Sequence, residues 1–129
     1  MRATKSILAA AAFCAALPAT ALAEAPVLKG FWEGTSVQIN AKTEFKERDI
    51  QIGILDQQGN RFWGTTSHGG ITEKMVGVIR GDGKTFYWVD VEDDGWVEGR
   101  ILAPDKLETC YLETGEHAIA ACSILTPVK

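Results

Sequence analysis

The sequence of 129 residues is poor in the residue types that most often bind metals, with two histidines and three cysteines. His68 and His117 each lie in a stretch typical of a surface turn, and neither has a second ligand at the spacing of a metal motif. The sequence also lacks a Gly-x-Ser-x-Gly nucleophile elbow and a glycine-rich phosphate loop. We therefore expect a protein that is not an enzyme and that holds no cofactor or metal.

Positive charge is scarce as well. Lys and Arg number 13 against 17 Asp and Glu, which gives a net charge of −4. An acidic chain argues against nucleic acid and against anionic membrane surfaces as partners. We expect neither nucleic-acid binding nor membrane insertion.

An apolar run occurs at the N-terminus, but it is short. Residues 1–23 begin with two basic residues, continue with the apolar run and end in Ala-Leu-Ala, which is the pattern of a secretory signal peptide. Pro18 interrupts the run before it reaches the about 20 residues that a membrane span needs. We expect cleavage after Ala23, secretion to the periplasm or the extracellular space, and a single β-barrel domain at residues 24–129. Loss of the two basic residues would take the net charge from −4 to −6.

The remaining cysteines predict one disulfide. Cys14 would leave with the signal peptide, so Cys110 and Cys122 alone would reach the oxidising compartment. A three-residue turn at residues 115–117 would place these two directly opposite each other on neighbouring strands. We expect them to be bonded to each other.

Turn signals recur roughly every 10 to 12 residues after the first strand, and sustained helical periodicity is missing between them. This spacing predicts eight strands, with a central hairpin at residues 84–102 that turns at Asp94 and Gly95. The expected strands are residues 30–37, a segment around 50–54, and residues 61–67, 71–80, 84–92, 95–102, 106–114 and 117–125. Because every connection is short, consecutive strands should pair as an antiparallel up-and-down meander, and closure into a barrel would remove both exposed edges.

The lengths of the turns also fix the register of each hairpin. They align one inward row of residues: Leu55, Phe62, Gly77, Trp88, Gly99, Cys110 and Cys122. In this row large residues cover strand glycines. The same parity directs Ile50, Ile52, Ile54 and Trp63 outward. Either a bulge shifts the second strand, or these residues form an apolar patch that binds a partner.

The acidic segment 90–95 has the alternating acids and the glycine of a calcium loop. A calcium loop of this kind requires a bidentate Glu at its twelfth position, where the sequence has Ile101. We interpret the segment as a solvated hairpin turn, with adventitious calcium binding as the alternative.

Gly30, Phe31 and Trp32 resemble the Gly-x-Trp motif that opens the first strand of the calycins, the lipocalin and avidin barrels. The resemblance implies a closed eight-stranded barrel in which Trp32 closes one end and Gly30 lets the backbone approach it. Small secreted bacterial protease inhibitors of similar barrel shape are an equal resemblance, and they imply action through the outer surface or loops.

Two functions follow from these patterns. The first is a non-catalytic binding module that holds a small apolar or aromatic ligand against Trp32, Phe86, Trp88 and Tyr111, in a cavity of about 300 Å³ or more. The alternative is a protein-interaction or protease-inhibitor-like barrel. Its partner would bind through Ile50, Ile52, Ile54 and Trp63.

Overall fold

The computed structural model describes residues 24–129, so the predicted signal peptide at residues 1–23 lies outside the described residues. Eight strands follow one another along the chain. They are β1 (Gly30–Asn40), β2 (Phe45–Gln58), β3 (Arg61–His68), β4 (Ile71–Ile79), β5 (Thr85–Asp90), β6 (Trp96–Ala103), β7 (Lys106–Glu113) and β8 (Ile119–Pro127). Each strand pairs antiparallel with the next, and β1 pairs with β8. The prediction of an all-β up-and-down meander that closes into a barrel is confirmed. Within residues 24–129, no helix is long and apolar enough to cross a membrane.

Alternation along the strands separates the two faces of the wall. In β6, Val97 and Gly99 are buried, whereas Glu98 and Arg100 between them are exposed. Successive side chains of a strand point to opposite faces, so Val97 and Gly99 face the interior and Glu98 and Arg100 face the solvent. The predicted inward row also fixes the parity of its strands, which directs Met75, Ile79, Phe86 and Val97 inward, and the burial of these four side chains confirms that parity.

The predicted register is right in three hairpins and wrong in three. Phe62 pairs with Gly77, Gly77 pairs with Trp88, and Cys110 pairs with Cys122, as predicted. Between β5 and β6, however, Phe86 pairs with Gly99, and Trp88 pairs with Val97 instead. The hairpin closes around Glu92 and Asp93, one residue earlier than the centre at Asp93 and Asp94 that the predicted pairing of Trp88 with Gly99 requires. This moves the pairing by two residues and keeps each side chain on its predicted face.

The glycines of β4 and β6 are covered by phenylalanine rings. A Cβ on Gly77 would overlap the ring of Phe62, and a Cβ on Gly99 would overlap the ring of Phe86. Phe86 in turn stacks on Trp88, with ring centroids 5.8 Å apart and planes at 14°. Aromatic cover of strand glycines is therefore present, but the covering ring on Gly99 is Phe86, where Trp88 was expected.

A bulge at Leu55 corrects the expected orientation of the second strand. The register between β2 and β3 shifts between Ile54 and Asp56, so that Phe62 pairs with Gln57 and Leu55 is left without a partner in the row. Because one extra residue inverts the parity of the strand beyond it, Ile52 and Ile54 point inward and are 0% and 1% exposed. The expectation that Ile50, Ile52 and Ile54 face outward is wrong, and the alternative of a bulge is confirmed.

A second bulge, between Ile101 and Ala103, changes the pairing of β6 with β7. Gly99 consequently pairs with Thr109, and Cys110 pairs with Glu98 on the outer wall. Cys110 and Cys122 are bonded, with their Cα atoms 4.1 Å apart. The predicted disulfide is confirmed, but it lies on the outside of the barrel and outside the inward row of Trp88.

The segment that precedes β1 covers one end of the barrel. Leu28 is 2% exposed, its backbone N–H donates to Gln57 Oε1 at 2.8 Å, and its carbonyl accepts from Trp32 Nε1 at 2.9 Å. Gln57 Nε2 also donates to the Pro26 carbonyl at 2.8 Å. Leu28 is therefore a core residue, although it precedes the first strand. This end, with Trp32 buried beneath Leu28, is filled by apolar side chains and is called here the packed end.

Candidate binding site at the open end of the barrel

The opposite end of the barrel contains a cavity of about 150 Å³. This is half of the volume expected for the small-molecule hypothesis. Its apolar wall is formed by Ile50, Trp88, Val97, Ile119 and Ala121. Its polar lining includes Ser36, Gln38, Thr66, Thr109 and Ser123, and its charged rim includes Arg48, His68, Asp90, Asp93 and Glu113. We call this half of the barrel the open end.

The inner face of the strands changes from apolar to polar between the two ends. In β5 the inward residues are Phe86, Trp88 and Asp90, in chain order towards the open end. In β7 they run Leu107, Thr109, Tyr111 and Glu113. β8 runs antiparallel to β7, so its chain direction between the two ends is reversed. It starts at the open end with Ile119 and reaches the packed end at Leu125. The sequence of each strand thus encodes a filled end and a cavity.

Three polar atoms inside the open end have no hydrogen-bond partner. They are Thr66 Oγ1, Trp88 Nε1 and Asp90 Oδ1, and within residues 24–129 they are the buried side-chain atoms left without one. The three residues are 6%, 2% and 7% exposed. A buried polar atom without a partner costs about 1 to 3 kcal/mol, so native proteins satisfy nearly all of them, with water or a ligand where protein groups do not reach. All three line the same cavity.

Three carboxylates converge beside these atoms. Oxygen atoms of Glu73, Asp90 and Asp93 all lie within 4.8 Å of one another. The pKa of Asp90 is raised to about 7. Burial is the largest cause, and the negative charges of Asp93, Glu73 and Glu92 act in the same direction. The indole N–H of Trp88 acts in the opposite direction, but it forms no hydrogen bond of regular geometry with any described residue.

Tyr111 fixes one side of the rim. Its hydroxyl oxygen is 3.2 Å from Asp93 Oδ2 and 3.0 Å from Glu113 Oε2. One proton can be donated to only one carboxylate at a time, and burial together with these carboxylates raises the pKa of Tyr111 well above its usual range. Gly95 N–H donates to Asp93 Oδ1 at 2.6 Å, and a Cβ on Gly95 would overlap the Tyr111 ring. The loop between β5 and β6 is therefore held against β7.

The histidines occupy different environments. His68 lines the cavity, with Nε2 3.5 Å from Glu73 Oε2, whereas His117 lies in the exposed turn before β8 beside Glu116. The sequence placed both in surface turns. For His68 the turn begins one residue later, so that the imidazole lies at the end of the inner face of β3.

The predicted ligand-contacting residues are divided between the two ends. Trp88 and Tyr111 line the cavity. Phe86 is 0% exposed among core side chains, and Trp32 is 5% exposed at the packed end. Contact of these residues with a ligand stays a prediction, and geometry favours Trp88 and Tyr111 for it. Sequence reasoning missed Thr66, Glu73, Asp90 and Asp93, although the predicted pairing of Gly77 with Trp88 already implied that Glu73 and Asp90 share the inward face.

The predicted partner surface is reduced to Trp63. Ile50 lines the cavity and Ile52 and Ile54 are core residues, whereas Trp63 is 42% exposed on the outer wall. Trp63 begins a cross-strand row of exposed apolar residues that continues through Val76, Val89 and Trp96. The Lys74 amine lies 5.6 Å from the Trp63 ring centroid.

Comparison with known proteins yields structural matches alone. No protein-family model and no curated protein sequence matches the chain. A crystal structure of a protein of unknown function from the DUF3598 family of Nostoc punctiforme matches with a TM-score of 0.54 and 17% identity, over 87% of this chain and 54% of that one. This chain thus spans about half the length of that neighbour. The S-type phycobiliprotein lyase CPES from Guillardia theta matches with a TM-score of 0.52 and 16% identity, over 79% of this chain and 89% of that one.

At these identities the likeness establishes the fold alone. Together with the closed barrel it confirms the predicted calycin-like architecture at a coarse level. It also overturns the expectation that the protein is not an enzyme, because one neighbour with this barrel is a lyase. That expectation rested on missing sequence motifs for nucleophiles and metals, and such motifs do not decide the matter for this fold.

Proposed function

We propose that this protein binds a small ligand in the cavity at the open end of its barrel. The observation that carries the proposal is the convergence of three buried polar atoms without partners, Thr66 Oγ1, Trp88 Nε1 and Asp90 Oδ1, on one cavity. Such atoms lower stability unless something else satisfies them. Their retention at one place is typical of a site whose polar groups are reserved for a ligand.

The cavity limits the ligand to a compact group. A protein cavity of about 150 Å³ accommodates a molecule the size of benzene, so one ring or a short branched chain would fill it. The apolar wall of Ile50, Val97 and Ile119 suits an apolar or aromatic group. Asp90 Oδ1 would accept a hydrogen bond from the ligand, and the Trp88 indole would donate one. A larger ligand would extend through the rim.

We further propose that the protein acts outside the cytoplasm. The pattern of residues 1–23 supports this, and the disulfide between Cys110 and Cys122 agrees with it because disulfides persist in oxidising compartments. N-terminal sequencing of the protein from a periplasmic or culture-medium fraction should begin at Glu24. A chain that retains Met1 in the cytoplasm would contradict the proposal.

Ligand binding can be tested with two neighbouring alanines of β8. Ala121 lines the cavity, and Ala120 is exposed on the outer wall. Small aromatic and short-chain alkyl compounds should change tryptophan emission saturably, near one molecule per chain, because Trp88 lines the cavity. Ala121→Leu should abolish the response by filling the cavity, and Ala120→Leu should leave it unchanged. A response that survives Ala121→Leu, or a lack of saturation with every compound, would contradict the proposal.

A second candidate function is association through the outer wall. The row Trp63, Val76, Val89 and Trp96 supports it, because each of these apolar side chains is between 37% and 50% exposed. A second copy of the chain is the partner that can be tested directly. Sedimentation should then reveal a dimer that Val89→Lys converts to monomer. A native protein that sediments as a monomer at about 100 μM would remove this candidate.

A further inference from the structure

We propose that Glu73, Asp90 and Asp93 form a binding site for a hard divalent cation of the calcium class, at the open end of the barrel. This site shares Asp90 and Thr66 with the cavity proposed above for an organic ligand, but it requires no organic ligand to be bound. It also differs from a linear calcium loop, because its ligands come from two neighbouring strands, β4 and β5, and from the turn that follows β5. The residue at the twelfth position of the acidic segment, Ile101, therefore has no bearing on it.

The distances between the carboxylates fit a cation of this size. Calcium lies about 2.3 to 2.6 Å from each oxygen ligand, so two ligands on opposite sides of it are about 4.6 to 5.2 Å apart. One oxygen of each carboxylate lies within 4.8 Å of the others. Oxygen ligands without sulfur favour hard cations of this kind.

The burial of Asp90 distinguishes this cluster from acidic groups on an open surface. Asp90 is 7% exposed, and its Oδ1 has no hydrogen-bond partner among the described residues. Thr66 Oγ1 is likewise buried without a partner in the same cavity and offers a neutral oxygen. A carboxylate taken out of water normally has a cation beside it.

Protein cations do not supply that partner. The ion pairs of residues 24–129 include none between these three carboxylates and a Lys or Arg side chain. The nearest basic group to the cluster among the ion pairs is His68, whose Nε2 lies 3.5 Å from Glu73 Oε2. Glu92, next in the same turn, adds a further negative charge. The local excess of negative charge matches a divalent cation.

Hydrogen bonds fix the backbone beside Asp90 and Glu73 and the carboxylate of Asp93 before any cation binds. The N–H of Val91 donates to the Lys74 carbonyl at 2.8 Å, which ties the residue after Asp90 to the residue after Glu73. Asp93 accepts hydrogen bonds from Gly95 N–H and from the Tyr111 hydroxyl, through different oxygens. Each Asp93 oxygen retains a lone pair for a cation. Asp90 and Asp93 line the cavity, from which water would complete the coordination.

Terbium(III) luminescence tests the site directly, because terbium replaces calcium on oxygen ligands and Trp88 is close enough to sensitise it. Protein freed of metal with EDTA and exchanged into chelator-free buffer should give saturable emission near one terbium per chain, and calcium chloride should displace it. Calorimetry with calcium alone should give a dissociation constant on the order of 10⁻⁴ to 10⁻³ M, as in open extracellular sites. Asp90→Asn and Glu73→Gln should each weaken binding at least tenfold.

Asp94→Asn is the matched control, since Asp94 is an exposed acid of the same turn outside the cluster. It should leave the dissociation constant within about twofold. Loss of affinity in Asp94→Asn equal to that in Asp90→Asn would show diffuse attraction to an acidic turn and would overturn the site. A native protein with no calcium binding below 10⁻² M would do the same.

Thermal unfolding provides a second readout, in which the native protein and Asp90→Asn should respond differently to calcium and to EDTA. Calcium at 10 mM should raise the melting temperature of the native protein by several degrees, because the cation binds the folded state alone. Asp90→Asn should melt higher than the native protein in EDTA, where the buried charge is uncompensated, and should not respond to calcium. An Asp90→Asn protein that responds to calcium as the native protein does would contradict the assignment of Asp90 as a ligand.

Discussion

Asp90 occupies a position where stability alone would favour an apolar residue. It continues the inward row of Phe86 and Trp88, and its neighbour across the hairpin to β4 is Met75. An asparagine or a leucine there would avoid the free energy of burying a carboxylate. The acid instead lies beside two other acids at the cavity. A residue that lowers stability at the mouth of a cavity is more readily explained by binding than by folding.

The first prediction concerns the pH dependence of stability in the presence of EDTA. The pKa of Asp90 is raised to about 7 in the folded protein, against about 3.9 in an unfolded chain. Between about pH 4 and pH 7 the folded state therefore binds more protons than the unfolded state. The stability that comes from protonated Asp90 is full below about pH 4 and is lost as the pH rises through 7. At pH 8 the free energy of unfolding of Asp90→Asn should exceed that of the native protein by about 2 kcal/mol. This is less than the full pKa shift implies, because the cavity opens to solvent.

The measurement is urea unfolding of both proteins from pH 4 to pH 8, with Asp94→Asn as the control. The gain from Asp90→Asn should vanish towards pH 4, and Asp94→Asn should show no trend. A constant difference between Asp90→Asn and the native protein at all pH values would mean that Asp90 ionises normally in the fold.

The second prediction concerns Gly99. A Cβ at this position would overlap the Phe86 ring, whereas a Cβ on Gly81 would meet nothing within 4 Å. Overpacking of a filled core costs about 1 to 3 kcal/mol, so Gly99→Ala should lower the free energy of unfolding by that amount. Gly81→Ala should be neutral or slightly stabilising, because it restricts the unfolded chain without a clash. Equal effects of the two substitutions in urea titrations would show that Phe86 can move aside.

At the scale of strands, the local signals sufficed for the elements and their order, and for the register of three of the six predicted hairpins. The alternation of residues and the glycine or proline turns predicted eight strands and their order. The pairing of Cys110 with Cys122 followed from the length of one short turn. These features are set by residues close together in the chain, so the sequence shows them directly.

The two bulges differ in how far they could be predicted. A bulge in the second strand was one of two alternatives, whereas the bulge at Leu102 was not expected. Neither position is a glycine or a proline that would mark an extra residue. The bulge at Leu55 moved Ile52 and Ile54 into the core, and the one at Leu102 moved Cys110 outward. Half of the candidate site could be predicted: Trp88 and Tyr111 were expected, whereas the convergence of Glu73 with Asp90 and Asp93 depends on register across three elements.

The third prediction concerns the bond between β7 and β8. Cys110 and Cys122 are 12 residues apart in the chain, and closing so short a loop restricts the unfolded chain by roughly 3 kcal/mol. The double variant Cys110→Ser with Cys122→Ser should therefore melt several degrees lower and should keep its strand content, since both side chains lie on the outer wall. Mass measurement of the native protein should find no free thiol. Two free thiols, or an unchanged melting temperature, would contradict this account.

At the scale of the whole barrel, one end contributes stability and the other contains the candidate binding site. The packed end brings Leu28, Trp32, Leu107 and Leu125 together with less than 6% exposure of each. The open end contains the partnerless polar atoms and the acidic cluster. A single closed sheet connects the two, so the free energy gained at one end can stabilise a less favourable arrangement at the other.

The last prediction tests this division with two apolar residues that both point inward. Leu107 is 0% exposed at the packed end, whereas Ile119 is half-buried and lines the cavity. Leu107→Ala should cost about 2 to 5 kcal/mol, because it leaves a hole among side chains that cannot close around it. Ile119→Ala should cost less than about 1.5 kcal/mol, because one side of this side chain already faces empty space. Urea titrations would measure both losses of stability, provided that the two variants and the native protein have equal m-values. Ile119→Ala should also enlarge the cavity and admit a bulkier ring than the native protein binds. Equal destabilisation by the two substitutions would mean that the open end is packed as tightly as the other, and that its cavity is closed in solution.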